Sequence, residues 1–407
     1  MQTHPALVDP DILRARFSQA LSEMYRREVP LYGTLLDLVA RSNRVSGNPD
    51  HRLEVERHGA IRVGTAGELA FVGRLFAIIG LHPVGYYDLA VAGVPVHSTA
   101  FRPITTQALA VSPFRIFTSL LRLELIVDPA LREEAAAILG RRRIATQRLL
   151  DLVSLAELEG GLPQELATEF IAEAMQTFRW HETAHVDAAL YARLKAAHPL
   201  VADVVCFRGP HLNHLTPRTR DIDAVQMEMR RLGMNPKAVI EGPPRRQVPI
   251  LLRQTSFQAL SEPVLFQDDL GSSPGTHTAR FGEVEQRGAA LTPKGRLLYD
   301  RMLAQLNGEI SDGGPRDEAA MRIFGSFPDD LGSMRSEGLA FFRHGEREPI
   351  LYEDFLPVSA AGIFRSNLGS ADAAASLVRG EQSRFEAALG MPVLNEMALY
   401  QTEATAA

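Results

Sequence analysis

The chain has 407 residues, 45% hydrophobic and 23% charged, with 43 Lys and Arg against 49 Asp and Glu, for a formal charge of -6. At roughly 150 residues per domain this length holds two to three units and can bury a sizeable core. A mildly acidic chain argues against a dedicated nucleic-acid binder, whose phosphate contacts need clustered cations, and a single cysteine excludes an internal disulfide or a Cys-rich zinc site.

The short basic runs Arg141-Arg142-Arg143 and Arg245-Arg246 read as solvated helix ends or loops. Cys206, inside Val204-Val205-Cys206-Phe207, reads as a buried, inert thiol. No apolar stretch reaches the ~18 residues of a membrane span. The amino terminus lacks a basic region followed by an apolar one, so the expectation is a soluble, cytoplasmic protein.

In chain order, residues 10–45 carry helical periodicity through Leu13, Phe17, Leu21 and Met24. Val55 to Val63 alternates as a strand does. Leu69, Val72, Leu75, Phe76 and Ile79 then form one helical face, closed by Gly80, and Val84 to Leu89 reads as a returning strand. Residues 112–198 predict helices at Phe114 to Ile126, Pro129 to Leu139, Ile144 to Leu158 and Leu162 to Arg179, forming a helical insertion. Ala202 to Phe207 and Leu212 to Pro217 predict strands. Ile222, Val225, Met229 and Leu232 give another helical face closed by Gly233, and later strands are expected at Val248 to Gln254, Val264 to Gln267 and Thr278 to Gln286.

Two blocks are parallel in organisation. His58 opens a strand leading to a helix that ends at Gly80, 22 positions on; His214 opens a strand leading to a helix that ends at Gly233, 19 positions on. A duplicated strand–helix unit with a histidine at the same place in each copy brings two imidazoles toward one centre. Two histidines and a carboxylate make the facial triad of non-heme Fe(II) oxygenases, with positions left for substrate and O2. Glu283 and Glu285 share one side of a predicted strand; one can be the ligand while the other orients a ligand, the alternative being a solvated strand face carrying Glu283, Glu285 and Arg287.

His181-Glu182-Thr183-Ala184-His185 matches H-E-x-x-H, the zinc metallopeptidase helix, and gives an alternative function. Against it, Ala188 and Tyr191 stand where the metzincin extension needs glycine and histidine, and no glutamate occurs between Glu182 and Glu228 to complete three ligands. A non-catalytic metal- or ligand-binding protein is the third reading. His211, after Gly209-Pro210, is expected in a loop or behind the ligands, and His97 as a cavity-lining or structural histidine.

Four stretches resemble the 2-oxoadipate dioxygenase/decarboxylase (hydroxyglutarate synthase) family: Glu56-Arg57-His58-Gly59-Ala60-Ile61-Arg62, Pro83-Val84-Gly85-Tyr86-Tyr87-Asp88-Leu89, Val94-Pro95-Val96-His97-Ser98-Thr99-Ala100-Phe101-Arg102-Pro103 and Gly209-Pro210-His211-Leu212-Asn213-His214-Leu215-Thr216-Pro217-Arg218. More distantly, Asn213-His214-Leu215 and Phe281-Gly282-Glu283-Val284-Glu285-Gln286-Arg287 are similar to the histidine and glutamate strands of hydroxyphenylpyruvate dioxygenase, in the vicinal oxygen chelate superfamily.

The resemblance implies an α+β fold: a vicinal-oxygen-chelate-like curved, partly open β-barrel sheet around a metal site, with a helical subdomain. It places the metal-binding core and N-terminal helices at 1–110 and 199–370, the helical insertion at 111–198 and a C-terminal extension at 371–407. It implies Fe(II) held by His58, His214 and Glu283, with His58 and His214 also counted among the substrate-binding residues. It further implies a substrate-gripping catalytic arginine at Arg62 and a substrate contact at Val358. The implied reaction takes 2-oxoadipate and O2 to 2-hydroxyglutarate and CO2, with no nucleic-acid or membrane partner.

Overall fold

The computed structural model describes residues 6–47, 50–268, 271–311, 316–356 and 371–406. Nine strands are described: β1 (Arg57–Val63), β2 (His82–Asp88), β3 (Val96–Arg102), β4 (Arg115–Leu121), β5 (His214–Pro217), β6 (Leu252–Ser256), β7 (Ser261–Asp268), β8 (Gly271–Thr278) and β9 (Phe281–Arg287). Seven form one curved sheet in the order β2-β3-β4-β1-β5-β9-β6, and β7 and β8 pair separately as a hairpin. The architecture is the expected α+β one.

The sheet contains two related modules. In the first, β1 leads to helix Ala66–Ile78, capped by the Thr65 side chain accepting from the Glu68 amide and ended by Gly80 at φ +68°. In the second, β5 leads to helix Ile222–Arg231, capped by Asp221 accepting from the Ala224 amide and ended by Gly233 at φ +69°. Each module then lays a later strand parallel to its first: β4 on β1, with Arg115 opposite His58, and β9 on β5, with Phe281 opposite His214. The modules meet where β1 and β5 run antiparallel, with His58 opposite Thr216 and Ala60 opposite His214. That register is what a local two-fold axis between the histidines requires.

Strand alternation divides the core into two layers. Ala100, Phe117 and Leu121 point into one apolar cluster, and their neighbours Phe101, Ile116 and Leu120 into the other. Ile61, Val63 and Val284 belong to the second layer, so His58, Arg62, Glu283 and Glu285 face the opposite way, toward the site.

Several expectations are corrected. Phe114 to Ile126 is not helical: Arg115–Leu121 is β4, buried along its whole length. A segment covered on both faces has no solvent-facing side to set a period that separates helix from strand. β4 therefore belongs to the central sheet, and the helical segment follows it as Pro129–Arg141, Gln147–Glu159 and Ala167–Phe178. Ala202 to Phe207 is not a strand but part of helix Pro199–Cys206, where Pro199 pre-sets the first turn and the His198 ring accepts from the Leu200 amide. β8, with the sequence GSSPGTHT, carries no strand signal and exists through its pairing with β7. Arg142 is not solvated: it is buried on Glu68 and the Phe207 carbonyl. Arg246 likewise spends its guanidinium on the carbonyls of Phe324, Phe327 and Pro328. Cys206 is buried, as expected. None of the described helices is long and apolar enough to cross a membrane.

Candidate metal centre and substrate cavity

Three strands deliver three ligand atoms to one point. His58 comes from β1, His214 from the adjacent β5, and Glu283 from β9, two positions past the residue paired with His214. One potential ligand atom from each lies within 4.8 Å of the others. The Oε2 of Glu283 is 3.2 Å from His58 Nε2 and 3.7 Å from His214 Nε2, and the two imidazole rings stand perpendicular, 5.4 Å apart. Thr216 and Gln254 donate to the same Oε2 at 3.1 and 2.9 Å, holding the carboxylate in place.

Glu285 behaves differently from Glu283. Fully buried, it pairs with Arg287 through both oxygens at 2.8 and 2.9 Å, and its Oε2 faces His58 Nδ1 at 2.9 Å. His58 thus stands between two carboxylates. A neutral imidazole has one N–H, so one of its nitrogens must oppose a carboxylate lone pair to lone pair unless the ring is protonated or a cation sits at Nε2. His58 Nδ1 and Glu285 Oε2 are in ion-pair range without the alignment of a hydrogen bond. A ring carrying its proton at Nδ1, on the Glu285 side, would leave Nε2 for a cation in company with Glu283, the donor order of a carboxylate–histidine–metal arrangement.

The electrostatics agree with that donor set. Burial opposes charge on His58, but Glu285 and Glu283 outweigh it and hold its pKa above the ordinary value. Burial brings His214 down to about 4 despite Glu283, leaving it a neutral donor. Burial alone raises Glu283, yet His214 and His58 keep it below the usual carboxylate range. The residues present therefore fit a divalent cation of the kind that two imidazoles and one carboxylate hold.

A cavity of about 390 Å³ opens over this cluster. Its apolar wall includes Leu89, Val94, Val96, Phe117 and Phe355, and its polar groups include Arg62, His198, Asp203 and Lys237. Phe355 stands edge-on to the His58 ring at 4.9 Å. Arg62, four positions beyond His58 on β1, reaches the cavity while its Nη1 donates to Asp203 Oδ2 at 2.5 Å. The second module repeats the spacing: His214 is followed four positions later by Arg218. That guanidinium turns away and donates to buried Glu56 at 2.8 Å. Glu283 has no equivalent in the first module, where the register puts Phe117 in its place.

The remaining candidates fall elsewhere. His181 and His185 are not on a helix; they flank an extended segment bridged through Thr183 to Leu265 and Ala184 to Phe207, so the face shared by i and i+4 does not exist. His97 is buried between Tyr86 and Phe385. His211 is buried behind the cavity wall, 3.1 Å from Asp203. Val358 lies outside the described residues. Sequence reasoning missed Gln254, Thr216, Asp203, Lys237 and Phe355. The repeated His-x-x-x-Arg was a further signal, beside the matched glycine-closed helices, for how the modules correspond.

Residues 17–367 match the 2-oxoadipate dioxygenase/decarboxylase family. The chain is 53% identical to the 2-oxoadipate dioxygenase/decarboxylase of Pseudomonas putida, over 97% of this chain and 94% of that one. It is also 53% identical to the protein of that name from Escherichia coli, over 97% and 96%. The crystal structure of the Pseudomonas putida hydroxyglutarate synthase in complex with 2-oxoadipate aligns with a TM-score of 0.87 at 51% identity, covering 98% of this chain and 96% of that one. By both sequence and fold, this chain belongs to the 2-oxoadipate dioxygenase/decarboxylase family.

Proposed function

We infer that this protein is a 2-oxoadipate dioxygenase/decarboxylase that converts 2-oxoadipate and O2 to 2-hydroxyglutarate and CO2. The atoms balance with both oxygens of O2 retained: one enters the new carboxylate, the other the hydroxyl on the adjacent carbon. The observation that carries the reading is the convergence of His58, His214 and Glu283 within 4.8 Å beside a cavity that also presents Arg62.

The metal is proposed to be Fe(II), held by His58, His214 and Glu283; when bound it supplies O2 activation and the oxidative cleavage of the 2-oxo acid. The protein's own groups do the rest. Arg62 is proposed to pair with the distal carboxylate, for which a planar guanidinium is suited. This tethers the molecule so that the carbon to be hydroxylated stays near the site of cleavage, and proximity replaces a second binding event. Phe117, Phe355, Val94 and Val96 cover the methylene chain and exclude water. Glu285 is proposed to favour the Nδ1-protonated form of His58 through its charge 2.9 Å away, and Gln254 and Thr216 hold Glu283.

An oxygen electrode tests the reading. O2 uptake should require both Fe(II) and a 2-oxo diacid, with CO2 and 2-hydroxyglutarate formed in equal amounts. No uptake by the Fe(II)-loaded protein across a panel of 2-oxo acids overturns it.

A further inference from the structure

Asp203, on helix Pro199–Cys206, lines the cavity and is only 4% exposed. Its two oxygens meet four partners from separate parts of the chain. Oδ2 accepts from Arg62 Nη1 at 2.5 Å and from Asn213 Nδ2 at 3.3 Å; Oδ1 faces His277 Nε2 at 2.9 Å and His211 Nε2 at 3.1 Å. His277, on β8, is held from behind by Tyr191 Oη at 2.9 Å from its Nδ1 and lies against Phe207 at 4.6 Å. Three of the four partners are buried. Arg62, whose side chain is 24% exposed, is the one that reaches the cavity.

A buried carboxylate carries a desolvation penalty that only good partners offset. Here burial opposes the charge, but His211 and Arg62 outweigh it and keep the Asp203 carboxyl well below the usual range. Among the described residues, Asp203 is the one hydrogen-bond partner of the Arg62 guanidinium. With Nη1 engaged, the Nε–Nη2 edge is left for a bidentate grip on a second carboxylate.

We propose that Asp203 is a positioning residue that fixes the Arg62 head at a set distance from the metal ligands and thereby determines which length of 2-oxo diacid the cavity accepts. The inference rests on the reading of Arg62 as the contact to the distal carboxylate. His58 and Arg62 are four residues apart on one strand, about 13 Å at ~3.3 Å per residue, so the backbone sets the coarse span. An unanchored arginine explores several rotamers and follows chains one carbon longer or shorter. Anchored on a carboxylate that is itself locked by β8, helix Pro199–Cys206 and the residues just before β5, it does not.

The test compares 2-oxoglutarate, 2-oxoadipate and 2-oxopimelate, with 2-oxohexanoate as the acid lacking a distal carboxylate. Each is measured by kcat/KM and by anaerobic calorimetric titration on the parent, Asp203→Asn and Arg62→Ala. Asp203→Asn should narrow the preference for the six-carbon diacid over its neighbours by about tenfold, through KM and dissociation constants rather than kcat. Arg62→Ala should abolish the preference for diacids over 2-oxohexanoate. A length profile unchanged in Asp203→Asn, or kcat lowered alike for all four acids with their ratios preserved, overturns the proposal. A diacid preference that survives Arg62→Ala overturns the reading of Arg62 instead. Should Asp203→Asn fail to fold, Asp203→Glu retains the charge and moves it by one methylene; a shifted or broadened length profile supports the proposal and an unchanged one overturns it.

Discussion

Replacing Glu285 by Gln separates the two glutamates of β9 most sharply. The substitution keeps the shape and removes one buried negative charge that faces His58 Nδ1 at 2.9 Å and pairs with Arg287 at 2.8 and 2.9 Å. Two consequences follow. Arg287 loses its ion pair but keeps the carbonyls of Tyr352 and Asp354 at 3.0 and 2.8 Å, with Glu56 at 3.9 Å. The stability loss should therefore sit near the lower end of the roughly 3–5 kcal/mol for breaking a buried pair, about 3 kcal/mol.

At the metal, an amide no longer demands the Nδ1 proton. Where its NH2 donates to Nδ1, the proton moves to Nε2 and blocks the nitrogen that should bind. Loss of such an orienting carboxylate typically weakens metal binding roughly 10- to 100-fold. Anaerobic calorimetric titration with Fe(II), paired with thermal melts with and without metal, reads both effects. Glu283→Ala, by contrast, should abolish binding. Metal affinity in Glu285→Gln within twofold of the parent would refute the orienting role. Activity lost in Glu285→Ala but kept in Glu283→Ala would reverse the choice of ligand.

Arg62→Ala should raise KM for 2-oxoadipate by roughly 10- to 100-fold, the loss of a charge-assisted contact, in steady-state oxygen uptake; unchanged turnover refutes the contact. His97 bears on acid stability. Burial, with Arg122 nearby, lowers its pKa from 6.5 to about 4, so the unfolded chain takes up the proton first. Its contribution is fully present above pH 6.5 and is lost as pH falls toward 4, roughly 3 kcal/mol in all. His97→Gln should flatten the stability profile in that window by urea titration, and an equal slope in both proteins contradicts the assignment. Gly288→Ala, whose added Cβ would meet the Pro249 backbone at the end of β9, should lose about 1–3 kcal/mol in the same assay.

Legibility followed the physics of each segment. The helical faces closed by Gly80 and Gly233 were readable because one side of each helix meets solvent and the terminal glycine adopts a positive φ. β4 and helix Pro199–Cys206 were misread in opposite directions because both are buried on nearly every side, so neither shows the polar–apolar alternation that marks a period. His58 and His214 stood out as paired openings of paired strands, whereas the choice between Glu283 and Glu285 needed the resemblance, since alternation aims both the same way. Gln254, Thr216 and Asp203 left no trace, because a buried hydrogen-bond partner is defined by strand register and helix placement, not by its neighbours in sequence. Arg142 looked solvated because its partner Glu68 lies far away in the chain.

The two-fold relation between the modules stops at their arginines. Arg218 is consumed by Glu56, and among the described residues Arg62 is the one guanidinium lining the cavity. A flexible molecule with an acid group at each end could sit either way round in a truly symmetric chamber. Lys237, the other cation of the cavity wall, is paired with Glu241 at 2.7 Å. With Arg62 as the proposed anchoring head, one docking polarity is favoured and one flank of the prochiral methylene is turned toward the oxidant. The broken symmetry of the arginines thus predicts a product of one handedness.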